Sequence, residues 1–156
     1  MRPLVTPEAV VGSATICMSG KIFLDSNILA YAQDKGAPKK QRRSRQVIAE
    51  LGGSGSGVIS TQVMQEFYVA ATRKLGIEAL AAKNVLKTFS IFEIVLITPE
   101  LIQDAIDCSI LNVLSFWDAL VLVAASAAGC STVYTEDMNA GQTVLGLKLQ
   151  NPFKRS

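Results

Sequence analysis

Short apolar runs rich in β-branched residues recur at Lys21–Leu24, Val58–Ser60, Ile94–Ile97 and Thr132–Tyr134, with a weaker one at Leu147–Leu149. Runs of this length and makeup read as buried strands. Between them lie longer stretches of helical periodicity, over Asn27–Gln33, Lys39–Leu51, Gln62–Leu75, Ile77–Ser90, Glu100–Asn112 and Trp117–Ala128. Strands that alternate with helices need crossover connections, so the pattern predicts an α/β fold with a mainly parallel sheet covered on both faces. Gly129 follows the last helix where a left-handed C-terminal residue belongs. The Gly/Ser-rich segment Gly52–Gly57 follows a helix and precedes a strand. A phosphate-binding loop needs the reverse order, so this segment reads as a helix-to-strand connection. No internal repeat is present.

At 156 residues the chain suffices for one core and is short for two ordinary domains. A hydrophobic fraction of 49% against 18% charged residues predicts a tightly packed soluble protein rather than a disordered one. The apolar stretch Ala119–Ala128 is about half of the roughly 20 residues that span a bilayer, so no membrane association is expected. Pro7, Glu8 and Gly12 interrupt any signal-peptide core. Residues 1–20 read as a flexible leader or an over-long start, residues 21–152 as the domain and residues 153–156 as a tail. Cys17, Cys108 and Cys130 lack paired spacing, which speaks against a disulfide framework or a structural zinc site and for a reducing cytoplasm. The net charge is only +2, but Lys35, Lys39, Lys40, Arg42, Arg43 and Arg45 concentrate six of the fifteen basic residues in one segment. This cluster reads either as a phosphate- or acid-binding patch or as a solvated helix face.

The sequence contains no histidine. Ser-His-Asp and Cys-His nucleophiles, histidine zinc sites and imidazole bases are thereby excluded. Carboxylates remain, and four of them fall where a parallel sheet places its ligands, at or beyond the carboxyl ends of strands. Asp25 follows the first strand, Glu66 lies about a turn into the helix after the second, Asp118 opens the most apolar helix, and Asp137 closes the exit from the Thr132–Tyr134 strand. Each also has a plain structural reading. Asp25 or Asn27 can cap a helix, Ser115 with Asp118 fits a capping box, Glu66 shares a polar stripe with Gln62 and Arg73, and Asp137 can be a turn residue. Taken together, converging carboxylates repel one another unless a cation neutralises them. A hard, oxygen-liganded ion such as Mg²⁺ or Mn²⁺ is the economical partner. Such an ion predicts phosphodiester hydrolysis rather than acyl transfer.

The segments Phe23-Leu24-Asp25-Ser26-Asn27-Ile28-Leu29, Gln65-Glu66-Phe67, Phe116-Trp117-Asp118-Ala119-Leu120 and Tyr134-Thr135-Glu136-Asp137-Met138-Asn139-Ala140-Gly141 together resemble the ordered acidic motifs of PIN-domain ribonucleases, especially VapC-type toxins. The likeness runs from about Lys21 to Pro152. It implies a three-layer α/β/α fold and metal-dependent endoribonuclease activity leaving a 5′-phosphate and a 3′-hydroxyl. It also implies metal ligation and catalysis by Asp25, Asp118, Asp137 and Glu66, with Glu66 acting directly or through water, and supporting roles for Asn27 and Thr135. An RNA substrate, a cognate antitoxin and a homodimer follow from the same likeness. Glu136 is expected to face solvent, and Phe116 and Trp117 to pack in the core. Two other readings stand beside this one: a catalytically idle PIN-like module that binds RNA or protein, and a receiver-like domain phosphorylated on Asp25. The second lacks the acidic pair expected after its first strand.

Overall fold

The computed structural model describes residues 20–154. Strand β1 (Lys21–Leu24) leads into α1 (Ser26–Tyr31) and α2 (Pro38–Ser54). Strand β2 (Gly57–Ser60) is followed by α3 (Thr61–Arg73), α4 (Ala79–Thr88), a 3₁₀ turn (Phe89–Ile91) and β3 (Glu93–Val95). Helices α5 (Pro99–Asn112) and α6 (Phe116–Ala127) precede β4 (Cys130–Tyr134), β5 (Thr143–Val144) and β6 (Leu147–Gln150).

The strands form one sheet in the order β3-β2-β1-β4-β6-β5, parallel throughout except for the antiparallel β5–β6 edge. Consecutive residues of a strand point to opposite faces. Phe23 and Leu24 are both fully buried, and so is every residue of β2, so helices cover both faces and the expected three-layer α/β/α arrangement is present. Phe23, Ile28, Ile59, Phe67, Leu122 and Val133 belong to the main core. A smaller cluster of Ala105, Cys108, Ala119, Leu120 and Val123 joins α5 to α6. Every residue from Ala119 to Ala125 is buried, as an all-apolar helix requires. Among the described residues, no single helix is long and apolar enough to cross a membrane.

Local chemistry sets the helix starts. The Asp25, Ser60, Thr98 and Ser115 side chains each accept a backbone N–H of the helix that follows, satisfying donors the helix itself leaves free. Three boundaries differ from the sequence pattern. Helix α2 runs through Gly52 and Gly53 and stops at Gly55, whose φ of 70° closes it in the left-handed region, so the connection to β2 is shorter than the glycine-rich composition suggests. Helix α4 begins only at Ala79, and the strand expected at Ile94–Ile97 is Glu93–Val95. Strand β5 has no counterpart in the pattern. It turns into β6 through Leu145 and Gly146, with φ of 52° and 74°, the signs of a type I′ hairpin. A leucine at the first of these positions carries none of the usual turn signal. The leader lies, apart from Gly20, outside the described residues, as do the last two residues of the tail. Phe153 of that tail packs edge-on against Tyr31, 5.1 Å between ring centroids.

Candidate active site

Strands β2 and β3 extend the sheet to one side of β1, and β4 and β6 extend it to the other. Chain direction across the sheet therefore reverses between β1 and β4, and a crevice opens beyond their carboxyl ends. The register pairs Leu24 with Tyr134, and the Asp25 N–H donates to the Tyr134 carbonyl at 3.0 Å. Residues following the two strands thus stand face to face. Asp25 Oδ1 accepts the Ser26 N–H at 2.7 Å, while its Oδ2 accepts the Thr135 hydroxyl at 2.8 Å. Thr135 Oγ1 in turn accepts the Asp137 N–H at 3.2 Å. Asn27 completes the link: its Nδ2 donates to Asp137 Oδ2 at 2.9 Å and its Oδ1 accepts the Glu136 N–H at 3.3 Å. Asn27 and the fully buried Thr135 therefore fix the two aspartates against each other.

Glu66 reaches the same crevice from α3. Asp118 approaches from the first turn of α6, where its N–H donates to Ser115 Oγ at 3.0 Å. Burial pushes Asp25 from 3.8 up to about 6, against the lowering effect of Thr135 and Ser26, with further upward pressure from Asp137 and Asp118. Glu66 is pushed from 4.5 up to about 7, first by burial and then by the Asp25 charge, with Gln62 opposing and Asp118 and Asp137 adding to the rise. Glu66 thus senses the other three carboxylates, and Asp25 senses Asp137 and Asp118. Asp137 and Glu66 line a groove of about 950 Å³ that runs between α1 and α3, whereas Asp25, only 6% exposed, and Asp118 lie outside its lining.

Among the described residues, no three acidic or thiol side chains by themselves enclose a cation. The donor chemistry nevertheless fits a hard ion that retains several waters. The groups available are carboxylate, hydroxyl and amide oxygens, and Glu66 Oε1 is buried with no hydrogen-bond partner. Thiolate ligation is disfavoured, because Cys130 opens β4 at the end of the strand away from the crevice and, among the described residues, no cysteine lines the groove.

Three positions depart from expectation. Glu136 does not simply face solvent: Tyr31 Oη donates to its Oε1 at 2.7 Å and Lys40 Nζ contacts its Oε2 at 2.6 Å. Burial works against the Glu136 charge, but Lys40 and Tyr31 outweigh it and hold the carboxyl below its ordinary range. The basic segment thereby sends one lysine to anchor the Asp137 loop. Trp117 is 62% exposed on the groove wall, while Phe116 packs against the α5–α6 cluster. Gln62, read as part of a polar surface stripe, is 4% exposed and donates through Nε2 to the Trp117 carbonyl at 3.2 Å. Its place one helical turn before Glu66 was the available signal.

The family model for the PIN domain matches residues 22–143. The chain belongs to the PIN-domain family. The family is of nuclease type, and its nucleases generally use divalent metals. No curated protein sequence matches this PIN domain. Among solved structures it is similar to VapC20 of Mycobacterium tuberculosis, described as a sarcin-ricin loop cleaving toxin, at 20% identity and a TM-score of 0.61 over 75% of this chain and 90% of that one. It is likewise similar to a toxin–antitoxin complex from Klebsiella pneumoniae, at 17% identity and a TM-score of 0.61 over 81% and 95% of the two chains. A DNA-bound VapBC from Salmonella typhimurium matches at 15% identity and a TM-score of 0.63 over 85% and 98%. At these identities the likeness is one of fold.

Proposed function

We propose that this PIN domain is a divalent-metal-dependent endoribonuclease that serves as the toxin of a VapBC-type toxin–antitoxin pair. The observation that carries the reading is the meeting of Asp25 and Asp137 across the β1–β4 crevice, with Asp118 close enough to raise the proton affinity of Asp25, and Asp25 close enough to raise that of Glu66. Asp25, Asp118 and Asp137 would hold Mg²⁺ or Mn²⁺, and Glu66 would complete the set directly or through water. When bound, the ion polarises the phosphoryl group and makes water nucleophilic near neutral pH. Thr135 and Asn27 keep Asp25 and Asp137 oriented, as the hydrogen-bonded partners of ligands do in other metal sites. Water adds to phosphorus and the P–O3′ bond breaks, giving a 5′-phosphate and a 3′-hydroxyl. The toxin role is supported by the VapBC and toxin–antitoxin neighbours, which also support a protein antitoxin as partner; the resemblance to VapC toxins adds the pairing of two copies.

The decisive experiment incubates purified protein with RNA and Mg²⁺ or Mn²⁺. Cleavage that stops in EDTA and falls at least about 100-fold in Asp25→Asn and Asp118→Asn is expected, a loss of the size that removal of a catalytic group produces. RNA binding without cleavage under either ion would instead establish an idle binding module.

A further inference from the structure

The groove contains more than the carboxylates require. Along α3 its wall carries Gln62 in the first turn, Glu66 one turn later, then Val69, and finally Arg73 with Lys74 just beyond. Arg73 stands two helical turns, about 10 Å, past Glu66. Trp117 joins the wall at the Gln62 end, where the two residues are hydrogen-bonded. The groove thus reads, end to end, as indole, carboxylates, a short apolar floor and two cations.

The fold leaves two groups at the indole end unmatched, the open face of Trp117 and Gln62 Oε1. Trp117 leaves most of its ring in solvent, held edge-on against Phe116 at 5.1 Å and 75°. A large aromatic face kept exposed and braced beside a cleft is a stacking platform. Gln62 is nearly inaccessible, its Nε2 is engaged, and its Oε1 is buried without a partner. A buried acceptor left open calls for a donor.

We infer that the groove takes a single-stranded RNA segment lengthwise, one base stacked on Trp117, the scissile phosphate at the level of Glu66, and a neighbouring phosphate held by Arg73 and Lys74. Gln62 Oε1 accepts a hydrogen bond from the stacked nucleotide, either from its ribose 2′-hydroxyl or from an exocyclic amine. This rests on the ribonuclease reading of the same carboxylates. A basic peptide would suit the carboxylates but meet like charge at Arg73 and Lys74. A nucleotide chain presents phosphates to the cations and a flat base to the indole.

Trp117 is the only tryptophan in the chain, so its fluorescence reports this contact alone. The Asp25→Asn protein is titrated in Mg²⁺ with a short single-stranded RNA, and binding is followed independently by anisotropy of a labelled copy. Quenching that saturates together with the anisotropy change is expected. In the otherwise unmodified protein, Trp117→Ala should raise KM about tenfold with a smaller change in kcat, and Trp117→Phe should restore most of the loss. Arg73→Ala should lower the slope of log affinity against log salt by about one. A DNA copy that binds more weakly, with the difference narrowed in Gln62→Met, assigns the donor to the 2′-hydroxyl. Equal weakening of both polymers in Gln62→Met assigns it to a base amine.

RNA that binds without quenching, or quenching produced by a protein partner and not by RNA, overturns the inference. Cleavage that persists with unaltered KM in Trp117→Ala overturns it too, and leaves the ribonuclease reading intact. Quenching by RNA that the wild-type protein never cleaves keeps the groove assignment and removes the enzyme.

Discussion

Asp25 holds two duties with opposing demands. As the cap of α1 it must stay behind the β1 terminus, and there it is buried near three other carboxylates. A carboxyl whose folded-state pKa is raised favours folding when protonated. Its contribution is complete below the unfolded value of 3.8 and is lost as pH rises through about 6. Glu66 prolongs the loss from 4.5 to about 7. Metal-free protein should therefore become less stable as pH climbs from about 4 to 7 and then level off, as read by urea denaturation in EDTA. Asp25→Asn should abolish the earlier part of that fall. At pH 7.5 in EDTA it should be more stable than the parent by up to about 3 kcal/mol, since each pKa unit corresponds to about 1.4 kcal/mol. A less stable variant would mean that the charge is not a burden on the fold. Addition of Mg²⁺ should raise the Tm of the parent and leave that of Asp25→Asn nearly unchanged. The positions of Asp25 and Asp137 were legible because a carboxylate just past a parallel strand reaches the sheet edge wherever the helices lie. The exposure of Trp117, the burial of Gln62 and the anchoring of Glu136 were not, because each depends on a side chain from a distant element.

Elements show where composition misleads and geometry decides. Gly53 lies on the exposed side of α2, and a Cβ built there meets nothing within 4 Å. Gly53→Ala should stabilise the protein by about 0.5–1 kcal/mol through helix propensity. Gly57 opens β2 under Phe92, whose Cδ1 would lie 2.5 Å from an added Cβ. Phe92 is itself buried, so Gly57→Ala should cost about 1–3 kcal/mol by overpacking. Thermal denaturation of the two variants tests the contrast, and equal shifts would refute it. One glycine-rich segment thus holds a helix interior, a left-handed stop and a close contact, which composition treats alike. Order, type and approximate extent of the main strands and helices followed from periodicity. The β5 hairpin escaped because β5 has only two residues and the turn carries a leucine. The end of α4 at Thr88 rather than Ser90 and the shift of β3 accompany the burial of Phe89 and Phe92, with Phe89 edge-on to Phe67 of α3 at 5.1 Å, a contact between segments that no local window contains.

At the scale of the whole molecule, the described residues leave one helix face without cover. Ile102, Ile106 and Ile110 recur at one-turn spacing along α5, and Val113 closes it with a φ of 53° while 91% exposed. Such a contiguous apolar row is unusual on an isolated chain, and the proposed pairing of two copies would bury it. Ile106→Asp with Ile110→Asp should give a monomer in sedimentation velocity at micromolar concentration, where the parent should be a dimer. A parent already monomeric there would remove this role. The Thr135–Asp25 bond has a consequence of another kind. It joins positions 110 residues apart, just past the ends of adjacent central strands, so the first part of the site is synthesised long before the second. At ordinary translation rates, roughly 5–20 residues per second, about 5–20 s separate them. Throughout that interval β1 lacks its β4 neighbour and Asp25 lacks Thr135. A ribosome making this chain thus carries an incomplete acidic crevice until nearly the last strand has emerged.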